Sequence, residues 1–143
     1  MAVFQHEQLE VYRLAIEFMG NSVGMAARIP RQRWFMADQF LRAASSVPLN
    51  IAEGAAEFRA AEKARFYRIA RRSTAECAAC MDVLQVMGIL AAEEVDSGKT
   101  KLLNVAGKLT RLVTGIEARD RKDRAPNPRP RPRPRPGPRS EYR

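Results

Sequence analysis

Apolar residues recur at spacings of three and four in four successive stretches of the chain, the period of an amphipathic helix. The most continuous stripe is Phe40, Ala44, Val47, Ile51 and Ala55, within a helix predicted from about Arg33 to Glu57. Pro48 lies inside that stripe, where it removes one backbone donor and crowds the carbonyl four residues back, so a bend is expected over residues 44–48. Gly54 falls near the end of the same helix, either as a left-handed cap or as a point where another helix approaches. Upstream, a first helix is predicted from Phe4 to about Arg28, with Leu9, Tyr12, Ile16, Met19 and Val23 as one stripe. Val11, Leu14, Phe18 and Met25 form a second stripe, and Glu10, Arg13, Glu17 and Asn21 a polar strip. Two apolar faces favour a helix that also meets a neighbouring subunit over one buried wholly in its own protomer. Ile29-Pro30-Arg31 interrupts the pattern.

The third and longest pattern runs from about Ala60 to Leu90, with Phe66, Ile69, Ser73, Cys77, Cys80, Leu84 and Met87 as its buried stripe. A fourth helix begins between Glu93 and Lys99, with Asp96-Ser97-Gly98 as cap or turn, and buries Leu102, Val105, Leu109, Leu112 and Ile116. These four patterns make residues 1–118 one all-α domain. Residues 119–143 follow as a tail: the apolar pattern stops from Arg119 to Lys122, and from Ala125 to Arg143 closely repeated proline forbids helix and sheet and, with arginine, predicts a solvated, disordered segment.

Charge changes the picture once it is located. The net charge is +9, but residues 119–143 hold nine Arg and one Lys against Asp120, Asp123 and Glu141, leaving 15 basic and 13 acidic residues in 1–118. The folded part is close to neutral, with one concentrated basic stretch: Arg59, Lys63, Arg65, Arg68, Arg71 and Arg72, opposed only by Glu62. Guanidinium groups at helical spacing suit phosphate oxygens or an acidic protein surface; the plainer alternative is a solvated face paired with Glu62 and Glu76. Lys101, Lys108 and Arg111 add modestly to the positive surface; in the tail, Arg129, Arg131, Arg133 and Arg135 favour phosphate binding, with docking on an aromatic-lined Pro-recognition groove or solubility as the competing roles.

Candidate chemistry is sparse. Cys77-Ala-Ala-Cys80 has redox spacing but lies mid-helix on the apolar stripe, far from a helix N-terminus that would lower a thiol pKa, so core packing is expected. The single histidine, His6, has no Cys beside it, so no metal site and no cofactor are expected, and it is read as a surface residue at a fraying end. Two cysteines, and no basic segment leading into an apolar run at the N-terminus, point to a cytoplasmic protein; no window has the roughly 18 apolar residues of a membrane span.

Gln39, the run Arg42-Ala43-Ala44-Ser45-Ser46-Val47-Pro48 and the run Asn50-Ile51-Ala52-Glu53-Gly54 resemble the signature of the 23S rRNA intervening-sequence proteins. That family includes the accessory variability determinant of diversity-generating retroelements. The resemblance spans about Phe4 to Ile116. It implies an antiparallel up-down four-helix bundle, a homopentamer, and no established catalytic residues. For retroelement members it also implies a basic surface that binds nucleic acid and a reverse transcriptase. Gln39, Arg42, Asn50, Glu53 and Gly54 are the motif positions; for Asn50 and Glu53, hydrogen bonding that ties helix ends is favoured over a ligand site.

The expected function is therefore a non-enzymatic, oligomeric, sequence-tolerant RNA- or DNA-binding accessory protein. The alternative is an oligomeric scaffold that binds an acidic protein without touching nucleic acid. Trp34, Phe35, Phe58 and Tyr67 are candidates for base stacking, with core or interface packing as the competing role. Catalysis is not expected: there is no phosphate-cradling glycine loop, second histidine, or nucleophile beside a base.

Overall fold

The computed structural model describes residues 1–126 as helices and short turns, so the Arg/Pro-rich segment with Arg129, Arg131, Arg133 and Arg135 lies outside the described residues. A 3₁₀ turn, Gln5–Gln8, leads into α1, Glu10–Ala26, and a second 3₁₀ turn, Arg31–Arg33, into α2, Trp34–Ala56. Two longer helices follow: α3, Ala60–Val86, and α4, Ala92–Arg124. Each helix packs on the next in chain order, and α1 closes the ring against α4.

Cross-helix partners fix the direction of each pair, because one residue number rises as the other falls. Lys101 and Lys108 of α4 reach Glu17 and Glu10 of α1, each at 2.9 Å. Arg68, Arg71 and Asp82 of α3 meet Glu117, Thr110 and Lys99 of α4. Gln39, Ser46 and Gly54 of α2 face Glu76, Ser73 and Tyr67 of α3. The result is an antiparallel up-down four-helix bundle. None of its helices is long and apolar enough to cross a membrane.

The stripe on α2 is buried as its spacing predicts, and α2 continues through Pro48 unbroken. On α1 the second of the two stripes supplies the core face. Val11, Ala15, Phe18, Ser22 and Ala26 form the core face, while Ile16 and Val23 are 46% and 53% exposed. Small residues decide this: Ala15, Ser22 and Ala26 let the neighbours close in, and Ser22 satisfies its hydroxyl by donating to the Phe18 carbonyl at 2.8 Å. Phe18 meets Phe40 of α2 edge-on, with ring centroids 6.4 Å apart.

α3 turns by one position at its start, burying Tyr67 and Ala70 where Phe66 and Ile69 were expected. It also ends at Val86, short of the predicted Leu90. Gly88 explains that stop: at φ +73° it takes the left-handed conformation, with Ile89 N–H donating to the Leu84 carbonyl and Gly88 N–H to that of Gln85. In α4, which starts at Ala92, Gly98 is neither cap nor turn but a buried position beneath Met81. Val113 is buried, whereas Leu112 and Ile116 are only partly so. α4 also runs to Arg124, past the predicted boundary at residue 118, because its polar last turns cost little in solvent and Arg121, Lys122 and Arg124 suit a helix C-terminus.

Gly54 marks a close approach of α2 and α3. A Cβ there would lie 2.8 Å from Tyr67 Cε1 and 3.2 Å from the Lys63 carbonyl oxygen. Gly54→Val should therefore destabilise the protein by roughly 1–3 kcal/mol, the cost of overpacking a core. Gly107→Ala, where a Cβ meets nothing within 4 Å, should stabilise it by up to about 1 kcal/mol. Thermal unfolding of the two variants checks the contrast.

Candidate nucleic-acid interface

The turn of α3 divides the basic stretch between several surroundings. Arg65, Arg68 and Arg72, at helical intervals, remain exposed. Arg65 pairs with Glu62 at 3.1 Å and lies over the Phe66 ring, 4.6 Å from its centroid. Arg68 is held by Glu117 of α4, and Arg71 donates to the Thr110 hydroxyl at 3.3 Å. Arg59 and Arg72 have no carboxylate partner among the described residues. The row is thus partly neutralised by its own fold, and the freest guanidinium groups on and beside α3 are Arg59, Arg71 and Arg72.

Arg71 and Arg72 rim, with Lys99, a groove of about 440 Å³ between α3 and α4. Its floor is apolar, made by Ala75, Ala78, Leu102 and Leu103. Cations beside an apolar floor suit a strand whose phosphates meet the rim while its bases lie flat.

Lys63 does something other than meet solvent. Its ammonium donates to the Gly54 and Ala55 carbonyls at 2.8 and 3.1 Å, satisfying two acceptors at the C-terminal end of α2. Burial lowers its pKa, an effect that Glu57 opposes. It is therefore a structural cation with one face on a second cavity. That cavity, about 530 Å³, lies between the start of α1 and parts of α3 and α4. Lys63, Lys108, Arg111 and Arg119 line it together with Glu10 and Tyr67. This convergence across three helices is not apparent from the α3 row; its only trace in the sequence is the helical spacing of Lys108, Arg111, Gly115 and Arg119.

The aromatic candidates separate. Trp34 and Phe58 are 65% and 98% exposed, and Phe35 is exposed too, so all three can be reached by a base. Tyr67 is 3% exposed and belongs to the core, where burial pushes its hydroxyl pKa up. Trp34 and Phe35 directly follow the exposed Arg31 and Arg33 at the start of α2.

Of the motif's polar groups, Asn50 and Arg42 bond within α2, whereas Gln39 and Ser46 reach across to α3. Asn50 Nδ2 donates to the Ser46 carbonyl at 2.8 Å and to its hydroxyl at 3.0 Å. The Ser46 and Ser73 hydroxyls share a hydrogen bond of 2.8 Å across the α2–α3 seam. Arg42 pairs with Asp38 one turn away, and the Gln39 amide lies 3.5 Å from Glu76. Glu53 differs, being exposed and without an ion-pair partner among the described residues. His6 is half-buried, stacked on Phe4 and edge-on to Tyr12 at 5.7 and 4.6 Å, so it packs rather than frays.

Cys77 and Cys80 are free, buried thiols. Burial pushes Cys77 up to about 12, and Cys80 is raised for the same reason. No group of three His, Cys, Asp or Glu among the described residues could hold a metal. In the native protein at neutral pH, both thiols should resist iodoacetamide and react fully in denaturant, a difference read by intact mass. Rapid native alkylation would show that the core around α3 opens.

Comparison with known proteins agrees with this geometry. Among curated proteins, none matches the chain. Among solved structures, the chain is similar to a protein of unknown function from the S23 ribosomal protein family of Bacteroides thetaiotaomicron VPI-5482, with a TM-score of 0.67. Identity is 19%, and the match covers 72% of this chain and 97% of that one, a likeness of fold. The profile of the family described as 23S rRNA-intervening sequence protein matches residues 7–111, covering all of α1, α2 and α3 and much of α4. The chain belongs to the 23S rRNA-intervening sequence protein family.

Proposed function

We propose that this protein is a non-enzymatic, homo-oligomeric accessory protein that binds RNA or DNA through phosphates with little reading of bases. The observation that carries the reading is the set of exposed guanidinium groups without a carboxylate partner on or beside α3 and α4: Arg59, Arg71, Arg72, Arg111, Arg119 and Arg121. Arginine forks engage phosphate oxygens in pairs of hydrogen bonds, and each neutralised phosphate releases counterions. Exposed Trp34, Phe35 and Phe58 supply stacking surfaces, which tolerate any base. Two buried free thiols suit a reducing, cytoplasmic setting. Family likeness supports the narrower reading that the protein serves a retroelement ribonucleoprotein containing a reverse transcriptase.

Replacing Arg59, Arg71 and Arg72 together by Gln should reduce the salt dependence of single-stranded RNA binding by about 2 in logarithmic slope, near 0.7 for each phosphate that is no longer neutralised. Lys101→Gln should change it less, because that ammonium group lies outside the groove and already meets Glu17. Fluorescence anisotropy across a salt series measures both. Affinity that hardly moves between low and physiological salt would sink the proposal, and a protein partner retained after nuclease treatment would favour the acidic scaffold partner instead.

Self-association has its own support in the outward stripe of α1. Tyr12, Ile16, Met19 and Val23 line up at helical spacing, and the bundle's own core does not use Ile16 or Val23. A heterologous contact through such a face closes a ring when the rotation per subunit divides a full turn; a count of five rests on family likeness. Sedimentation should show an oligomer for the native chain and a folded monomer for Ile16→Glu with Val23→Glu. A native monomer would overturn the assembly.

A further inference from the structure

The second cavity is built differently from an ordinary charged surface. Its volume of about 530 Å³ lies within the range of natural small-molecule sites, roughly 300–1,000 Å³. Four cations, Lys63, Lys108, Arg111 and Arg119, face one carboxylate, Glu10. Two of the four are engaged: Lys63 with carbonyls of α2, and Lys108 with Glu10 at 2.9 Å. Arg111 and Arg119 have no carboxylate partner among the described residues, so their forks are available. Gly115, between them on α4, leaves that wall open, since a Cβ there meets nothing within 4 Å.

Tyr67 gives an independent indication. The residue is almost wholly enclosed and lines the cavity, yet its hydroxyl makes no hydrogen bond among the described residues. It is also not sealed from solvent, since no side-chain oxygen or nitrogen among the described residues is both fully buried and unpartnered. A hydroxyl without a partner, on a residue that lines a cavity, is available to bond what enters. Its ring is held in place against Gly54. Leu9, Val11, Leu112 and Ile116 complete the lining with apolar surface.

We propose that this cavity binds a phosphomonoester carried on a flat apolar body, the chemistry of a mononucleotide or of the 5′-phosphorylated end of a nucleic-acid strand. A phosphomonoester carries about −1.5 to −2 at neutral pH, more than the single charge of an internal phosphodiester. It therefore suits a pocket where cations outnumber the carboxylate. Arg111 and Arg119 take the phosphate oxygens, the apolar lining takes the base, and Tyr67 bonds a polar edge. The strand-end source rests on the nucleic-acid function proposed above; the mononucleotide source does not.

The test uses the full chain in two assays. Calorimetry compares adenosine monophosphate with adenosine and inorganic phosphate, and anisotropy compares one short RNA carrying a 5′-phosphate with the same RNA carrying a 5′-hydroxyl. The phosphorylated ligand should bind roughly tenfold more tightly than its counterparts in at least one assay, the scale of one charge-assisted hydrogen bond. Gly115→Leu, which fills the open wall, and Arg111→Gln with Arg119→Gln should each abolish that preference while circular dichroism shows an intact helical fold. Tyr67→Phe should weaken it severalfold.

Preference in calorimetry alone identifies the free nucleotide, and preference in anisotropy identifies the strand end. No discrimination in either assay, or discrimination that survives Gly115→Leu, overturns the site. If the Arg59, Arg71 and Arg72 variant loses overall RNA affinity but keeps the phosphate preference, the cavity and the groove are separate sites. Weak RNA binding with intact mononucleotide preference would sink the nucleic-acid surface and leave the cavity standing.

Discussion

The α2–α3 seam is the constraint from which the rest of the molecule follows. Helix backbones come close only where side chains are small, and at this seam Gly54 of α2 meets Tyr67 and the Lys63 carbonyl of α3, Ser46 meets Ser73, and the buried alanines Ala43 and Ala70 lie one helical turn from these contacts. At Gly54 the missing side chain is replaced by the Tyr67 ring, and at Ser46 and Ser73 two hydroxyls satisfy each other across the gap. With the rotation of α3 fixed in this way, the positions of its arginines are fixed as well. Tyr67 cannot face inward unless Arg65, Arg68 and Arg72 face outward.

That same rotation explains which parts of the structure were legible in the sequence. The α2 stripe was readable because its core residues are mostly large and evenly spaced. The faces of α1 and α3 were harder to read because small residues carry part of the burial. Ser22 and Ala26 lie fully or nearly buried while larger Ile16 and Val23 face outward, so hydrophobic size alone does not say which of the two stripes faces the core. A stripe of large residues locates an apolar face without saying whether the protomer or a neighbour covers it. The α3 terminus shows a different gap: Gly88 was visible in the sequence, but apolar Ile89 and Leu90 continued the pattern beyond the left-handed cap that ends the helix.

For the candidate site, the amount of charge was legible and its disposition was not. Six basic residues between 59 and 72 look like one patch. In three dimensions one caps a helix, others are paired with carboxylates near and far in sequence, and the remainder border a groove whose floor comes partly from another helix. Glu117 lies far from Arg68 in sequence, so no local tally of charges could have anticipated its neutralising effect. The cavity was less legible still, since its lining comes from three helices and its open wall depends on Gly115, a residue with no charge to count.

Lys63 joins the two levels of organisation. Its ammonium completes the end of α2 beside the glycine that seats Tyr67, and it also lines the cavity that Arg111 and Arg119 border. An anion entering there would meet a cation already fixed by backbone carbonyls, so little side-chain entropy remains to be lost at that contact. Arg111 and Arg119 differ: both are exposed and unanchored, and ordering them costs more. Pre-organisation on the α3 side combined with adaptable forks on the α4 side would let the cavity accept phosphate groups in slightly different positions. This suits recognition of a chemical class better than of one molecule. It also follows that removing Lys63 would confound stability with binding, whereas changes at Gly115, Arg111 and Arg119 act on the cavity and leave the seam untouched.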